Sequence, residues 1–280
     1  ASAAKMTASF DKNGTFTGME HAFAAGWPTK AMAPGFLSPG VDGKGKFDAF
    51  SASGADHWYS MSSHRARAIN NEVAQSTFNP GWLRSVGPGW IAWSLESFID
   101  EIAHKQGKDP VQFRIEMLDG KGKQAGKAPE SVGGALRLRN VLKTVSDKVA
   151  SVKLAKDEGI GFSVSSGQER TMPAWLATAA HVHVNRDSGK ITLKKLYVVV
   201  DAGLIVHPDG ALAQIEGSLL WGSSLALHES NTYKDGQVSA TNFNTYLPLR
   251  MQDVPDMDIE FLQSDEFPVG LGEPGVIGVA

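Results

Sequence analysis

The sequence predicts an α+β fold in which mixed sheets pack with helices. Three observations carry this. Apolar residues recur with a helical period in the middle of the chain. The period changes to two at Thr178. Thirty glycines and thirteen prolines in 280 residues suit turns and close backbone approaches better than a helical bundle.

The elements follow in order. The first 55 residues are rich in Gly, Ala, Ser and Pro. Phe16-Thr17-Gly18 and Pro34-Gly35-Phe36-Leu37-Ser38-Pro39-Gly40 read as loops with short strands. Such a stretch makes a poor independent core, so the segment 1–57 is expected to be loop-rich and to pack on parts beyond this chain. From Trp90, Leu95, Phe98, Ile99 and Ile102 share a helix face, and Gly107 stands where a C′ residue belongs. Asp109 then offers an N-cap and Pro110 an N1 residue, with Val111, Phe113, Ile115 and Leu118 following. Gly120 to Lys127 reads as a Gly/Lys linker. Ala135 to Val149 reads as a helix with Leu136, Val141, Leu142 and Val145 inward.

Thr178 to Val184 alternates, Asn185-Arg186-Asp187-Ser188-Gly189 is a turn, and Ile191 to Val200 is a strand ending apolar on both faces. Together they predict a hairpin in a buried sheet. Gly210 to His228 reads as a buried helix with small residues on one side. Tyr233 to Val238 is a hairpin around Asp235-Gly236, and Met257 to Leu262 is a further strand.

Composition bounds the function. Apolar residues make up 42 % and charged residues 20 %, with a formal charge of −3. That is ordinary globular material with no electrostatic case for nucleic acid. No run of about 20 apolar residues is present, so no membrane span is expected. Cysteine is absent, which excludes disulfides and any iron–sulfur cluster held by this chain's own thiolates.

Glu273 stands between Gly272 and Pro274-Gly275 near the end of the sequence. Read locally, it is either a helix-start carboxylate or a general base in a glycine-lined pocket. Arg84, in Gly81-Trp82-Leu83-Arg84-Ser85-Val86-Gly87-Pro88-Gly89, is placed either to hold an anionic group with its fork of donors or to pair with an acid in a tight turn. Gly159 to Gln168 is a small-residue stretch that reads as a buried strand or, less simply, an anion cradle. His181 and His183 alternate on a strand and could reach one face. Spacing supplies no third ligand, so a structural role is favoured. Ser163 to Ser166 lacks the Gly-x-Ser-x-Gly elbow of a serine hydrolase.

Several stretches, in this order, resemble one family. They are Leu83-Arg84-Ser85-Val86-Gly87 with the helices around Glu96 to Glu101 and Gly107 to Arg114; Val200-Asp201-Ala202-Gly203 with His207-Pro208-Asp209; Ala213-Gln214-Ile215-Glu216-Gly217; and Gly272-Glu273-Pro274-Gly275. The chain from about Trp58 onward is similar to the molybdopterin-binding large subunit of the xanthine dehydrogenase/aldehyde oxidase family. The likeness is greatest to the branch of isoquinoline 1-oxidoreductase β subunits and acetic-acid-bacterial aldehyde dehydrogenases. The resemblance implies that 58–280 is part of the molybdenum-cofactor-binding region, incomplete at its C-terminal side, within a larger molybdopterin-binding subunit.

Residue by residue, it implies that Glu273 is the base beside molybdenum. Arg84, Ser85 and Gly87 would reach the cofactor region, Gly167 and Gln168 would lie near the pterin dinucleotide, and Gly272 would line the cofactor beside the base. Asp201, Gly203 and Gln214 would belong to segments packed around it. The usual Asn-Pro after the Asp-x-Gly strand is His207-Pro208 here. The implied activity is oxidation of an aldehyde to a carboxylic acid with water as oxygen source. Alternatives are hydroxylation of an N-heteroaromatic substrate by the same machinery, or a non-catalytic scaffold remnant. The implied cofactor is molybdopterin, as the cytosine dinucleotide, with molybdenum. Electrons would pass to iron–sulfur clusters on a small partner subunit. Further implied partners are the remaining part of the same large subunit and a cytochrome c subunit. The implied location is the periplasm, attached to the membrane through a partner. Alone, these 280 residues are expected to be inactive.

Overall fold

Residues 2–41, 43–121, 134–167 and 173–279 are described by the computed structural model. The chain opens on two long strands, β1 (Ser2–Phe10) and β2 (Phe16–Ala25), paired antiparallel. Asp11 closes their connection, its Oδ1 accepting from the amides of Asn13 and Thr15 at 2.8 Å. α1 (Pro28–Met32), the short pair β3 (Ser38–Pro39) and β4 (Lys46–Phe47), and α2 (Ala49–Ala52) come next. Buried Asp48 caps α2 by accepting from the amides of Phe50 and Ser51. It also accepts from Thr29 Oγ1 at 2.6 Å. β5 (Ser63–Asn70) then adds to β2 in parallel, giving the order β1-β2-β5.

This corrects the expectation of loops and short strands at the start. β1 and β2 are 9 and 10 residues long. β2 buries Met19, His21, Phe23 and Ala25 on alternate positions, the period of a half-buried strand.

α3 (Glu72–Thr77), α4 (Pro88–Lys105) and α5 (Pro110–Met117) follow. The expected helix stop and start are both present. Gly107 is left-handed at φ +63°, and the Lys108 amide returns to Ala103 O at 3.0 Å, a glycine-terminated C-cap. Asp109 then accepts from the Gln112 amide at 2.8 Å. α4 buries Ile91, Leu95, Ile99 and Ile102, while α5 buries Val111, Phe113, Met117 and Arg114.

α6 (Ala135–Val149) buries Leu138, Val141, Leu142 and Val145, but Leu136 is exposed and Ala135 takes its inward place. Contacts divide the described chain within α6, into residues 2–139 and residues 140–167 with 173–279. The second unit continues with β6 (Glu158–Ser166), β7 (Trp175–Val184), β8 (Ile191–Asp201), α7 (Pro208–Leu227), β9 (Tyr233–Lys234), β10 (Gln237–Val238), β11 (Asp256–Phe261) and α8 (Pro274–Ile277).

The principal sheet of this unit runs β11-β8-β7-β6, with β11 parallel to β8 and the other pairs antiparallel. The expected hairpin is β7–β8, closed by Asn185, whose Oδ1 accepts from the Asp187 and Ser188 amides. β7 begins at Trp175, three residues earlier than alternation indicated, because both of its faces are covered there and the pattern is continuous rather than periodic. Leu176, Leu196, Val198, Val200, Ile215 and Leu219 form the core between this sheet and α7. The Asp235-Gly236 turn has φ of +51° and +76°, the primed geometry of a two-residue hairpin.

Candidate active site

Glu273 occupies the residue before α8, a single turn of four residues. Pro274 at N1 supplies the helical φ at no cost, since the amide it lacks would have had no partner in the turn. Glu273 sits at the N-cap position with φ −123° and ψ −30°, yet its side chain does not cap the turn. It is half-buried. Its carbonyl accepts from the Val276 and Ile277 amides at 3.0 and 3.3 Å. Glu273 is thus a helix-start carboxylate, as one local reading has it, but its side chain makes no capping hydrogen bond.

The glycines around Glu273 fall into two kinds. A Cβ on Gly275 would overlap the Ser218 hydroxyl, and one on Gly278 would lie 2.8 Å from Ser165 Oγ. Gly222 on α7 is equally constrained, its imagined Cβ falling 2.8 Å from Val276 O. These three let the turn settle closely onto α7 and β6. Gly270 and Gly272 differ. Both are exposed and neither is left-handed. A Cβ on Gly270 would meet nothing within 4 Å, and one on Gly272 only Gln214 Nε2 at 3.9 Å. Neither packing within the described chain nor backbone angle calls for glycine there.

The Asp201-Ala202-Gly203 segment leads directly into this site. Gly203 is left-handed at φ +72°, and an added Cβ would fall 2.6 Å from Glu266 O and closer still to Phe267 O. The Leu204 amide donates to Glu266 O at 2.9 Å, and the Val269 amide to Ala202 O at 3.0 Å. The end of β8 thus anchors residues 266–269, immediately before Gly270. His207 fills the N-cap of α7, its Nδ1 accepting from the Gly210 amide at 2.7 Å. Imidazole in place of the usual amide keeps the capping bond.

The remaining sequence-selected residues separate by unit. Gly167 lies with Glu273 and Gly272 in the second unit, at the end of β6. Its amide donates to Ala174 O at 2.9 Å, and a Cβ would meet Ala174 N at 3.3 Å. Gln168 lies outside the described residues. Arg84, Ser85 and Gly87 belong to the first unit. Ser85 and Val86 both have positive φ, +83° and +44°, which is uncommon for a serine and an outlier for a β-branched valine. Ser85 is buried with its hydroxyl against Gly89, and Gly87 fits over the carbonyl oxygens of Phe50, Ser51 and Ser53. Gly87 thus has a packing reason of its own. His181 pairs through Nε2 with Glu158 Oε2 at 3.0 Å. Lys194, the Ala155 amide and His181 hold the Glu158 carboxyl down at about 2.

Ser163, Ser165, Ser218 and Gly222, which support the Glu273 turn, escaped selection by sequence. Their one visible sign is the alternation of hydroxyls at Ser163 and Ser165, which places both on one face of β6.

Residues 127–255 match the family described as the molybdopterin cofactor-binding domain. A membrane-bound aldehyde dehydrogenase [pyrroloquinoline-quinone] of Gluconacetobacter polyoxogenes is 51 % identical over 97 % of this chain and 35 % of its own length. Residues 127–255 thus belong to the molybdopterin cofactor-binding family. The β subunit of isoquinoline 1-oxidoreductase from Brevundimonas diminuta is 28 % identical over 71 % of this chain and 24 % of its own. Among solved structures, the aldehyde oxidoreductase of Desulfovibrio desulfuricans superposes with a TM-score of 0.65 at 14 % identity, over 98 % of this chain and 45 % of that one. That likeness shows the α+β fold. The chain spans about a third or less of the length of these two curated relatives.

Proposed function

We propose that this chain contributes the general base and part of the cofactor-binding surface of a molybdenum-dependent enzyme that oxidises an aldehyde to a carboxylic acid with water as oxygen source. The observation that carries the reading is Glu273: a half-buried carboxylate unused as a helix cap, on an anchored turn, beside glycines that leave room at the backbone. Those residues fit a large cofactor. When bound, the molybdenum centre supplies the two-electron redox chemistry.

The chain's own part is positional and protonic. Gly270 and Gly272 admit the cofactor and substrate close to the backbone, and Gln214 Nε2, facing Gly272, offers a donor beside them. Glu273, half-buried on its anchored turn, is the carboxylate placed to act as the base. Its carboxylate oxygen takes up the proton released as water is consumed. Arg84, Ser85 and Gly87 are proposed to belong to the cofactor region, and Gly167 is proposed to lie near the pterin dinucleotide, taken as the cytosine form. The matched relative carries pyrroloquinoline quinone in its name. Molybdopterin is preferred here because the match at 127–255 lies in this chain's own residues.

Electrons leave to iron–sulfur clusters on a small partner subunit, since this chain has no cysteine to hold one. From there they pass to a cytochrome c subunit. The proposed location is the periplasm, with membrane attachment through a partner. The relative's name includes "membrane-bound", and no helix among the described residues is long and apolar enough to cross a membrane. Replacing Glu273 by Gln in the complete enzyme is expected to lower turnover about 10²–10⁴-fold while molybdenum content is unchanged. Turnover at the parent level removes Glu273 as the base. The isoquinoline-oxidising relative favours a second reading, hydroxylation of an N-heteroaromatic ring at the same site. Parallel assays with an aldehyde and with isoquinoline separate the two.

A further inference from the structure

The turn carrying Glu273 is too short to hold itself. Its own bonds are those of the Val276, Ile277 and Gly278 amides to the carbonyls of Glu273 and Pro274, and one isolated helical turn is unfavourable in water. Two hydroxyls from a different element fasten it at both ends. Ser165 Oγ donates to Pro274 O at 2.9 Å, on the residue that directly follows Glu273. Ser163 Oγ donates to Gly278 O at 2.5 Å, just past the other end. The serines are two apart on β6 and so share a face.

Pro274 O already accepts from the Gly278 amide at 3.0 Å. Ser165 is therefore not needed to satisfy that carbonyl; its bond adds direction. On the opposite side, Gly222 and Ser218 of α7 close the slot, and Gly275 and Gly278 let both walls approach. Slot and hydroxyls together determine where the Glu273 Cα stands.

We propose that Ser163 and Ser165 are positioning residues for Glu273, holding its turn so that the carboxylate stays within proton-transfer reach of the reacting centre. The inference rests on the reading of Glu273 as the base. A displacement of about 1 Å at such a group costs on the order of 10²-fold in rate. Each serine is thus expected to carry part of that factor.

The test uses the complete molybdenum-loaded enzyme with Ser163→Ala, Ser165→Ala, the double substitution and Ser163→Thr. The expected result is a kcat for aldehyde lowered about 10-fold in each alanine variant and about 10²-fold in the double. KM should stay within about twofold and molybdenum content should be unchanged. Hydrogen exchange at the Val276, Ile277 and Gly278 amides, measured with and without cofactor, should quicken by roughly 10-fold as the turn opens locally. Ser163→Thr keeps the hydroxyl and is expected to restore both readouts.

A double variant with kcat within about twofold of the parent overturns the inference, as does a fall in kcat with unchanged exchange. Should the double variant lose molybdenum or fail to fold, Ser163→Ala at its half-buried position is judged by the same two criteria. If Glu273→Gln is inactive while the serine variants are not, only the positioning role fails. If Glu273→Gln is fully active, the base reading fails, and the exchange data still decide whether the serines hold the turn.

Discussion

Arg114 offers the sharpest test of how the first unit holds together. Its guanidinium is fully buried on α5 and binds four groups. Nε donates to Glu96 Oε2 at 2.9 Å, one Nη to Asp100 Oδ1 at 2.5 Å and to Pro110 O at 3.1 Å, and the other Nη to Glu96 O at 2.9 Å. Tyr59 OH donates to the second Glu96 oxygen at 2.8 Å. Burial disfavours the arginine's charge, but Glu96 and Asp100 outweigh it and hold the guanidinium above its ordinary value. Burial, reinforced by Glu96, likewise keeps the Tyr59 phenol neutral well above its usual range. Arg114→Met keeps the volume and removes the charge. Glu96, whose side chain is 8 % exposed, is then left as a buried carboxylate without its cation. Breaking such a pair from one side costs about 3–5 kcal/mol. Asp100, 47 % exposed, adds little, because solvent screens it. The assay is urea unfolding followed by the fluorescence of Trp27, Trp58 and Trp90, all in this unit. Adding Glu96→Leu should recover most of the loss, since an apolar replacement of both partners removes the stranded charge. A single variant that loses less than about 1 kcal/mol would falsify the claim that this pair locks α4 to α5.

Two further outcomes are expected. His21 is fully buried on β2, with Nε2 3.2 Å from Ser94 Oγ and its ring edge-on to Phe23. Burial, and then the charge on His64, lower it from 6.5 to about 4. The folded state thus binds fewer protons than the unfolded state between those values. Stability is complete above pH 6.5 and falls as the pH drops toward 4. The gap corresponds to about 3 kcal/mol. His64, also lowered by burial although Asp56 opposes it, adds in the same direction. Urea midpoints at pH 7 and 4.5 should differ by much less in a His21→Phe variant; an unchanged difference would clear His21 of the effect. Separately, Gly203→Ala must place a Cβ on the carbonyls of Glu266 and Phe267 at φ +72°. Strain and overlap together should cost about 2–4 kcal/mol and lower turnover through residues 266–273. A variant as stable and active as the parent would show that this contact does not locate the site.

Legibility followed exposure and charge. Gly107, Asp109 and Pro110 were readable because a helix stop and start demand those residue types, and both caps are formed. β7 and β8 were readable from alternation and a turn. β1 was not. Ala4-Lys5-Met6-Thr7-Ala8-Ser9-Phe10 does alternate, and Met6, Ala8 and Phe10 are its half-buried positions, but the small, mostly exposed residues before them gave the stretch the look of a loop. In β2 the alternation is real, but His21 interrupts it as a buried polar residue. Arg114 was quoted within a motif and given no role, because a buried arginine can be recognised only once Glu96 and Asp100 are seen around it. The same holds at the site. Glu273 stood out in its glycine frame, whereas Ser163 and Ser165 lie 110 and 108 residues away in sequence and matter only through the turn they touch.

The glycine frame also shows why one motif can serve two ends. Read as a string, Gly270-Leu271-Gly272-Glu273-Pro274-Gly275 is a run of small residues around an acid. In space, the glycines before Glu273 face open volume, and Gly275 with Gly278 faces hydroxyls and backbone. Substitution should therefore divide the motif. A side chain at Gly275 or Gly278 has no room and must move the turn, so it strikes stability first. A side chain at Gly272 meets only Gln214 Nε2, at 3.9 Å, among the described residues, so under the proposed function its effect is expected on cofactor binding and turnover before stability. The anchors on either side agree with that division. The end of β8 holds residues 266–269, β6 holds Pro274 and Gly278, and the segment between is left unpacked at Gly270 and Gly272. Under the proposed function both features serve the same end: the pinned ends fix where the carboxylate stands, and the open segment leaves space beside it.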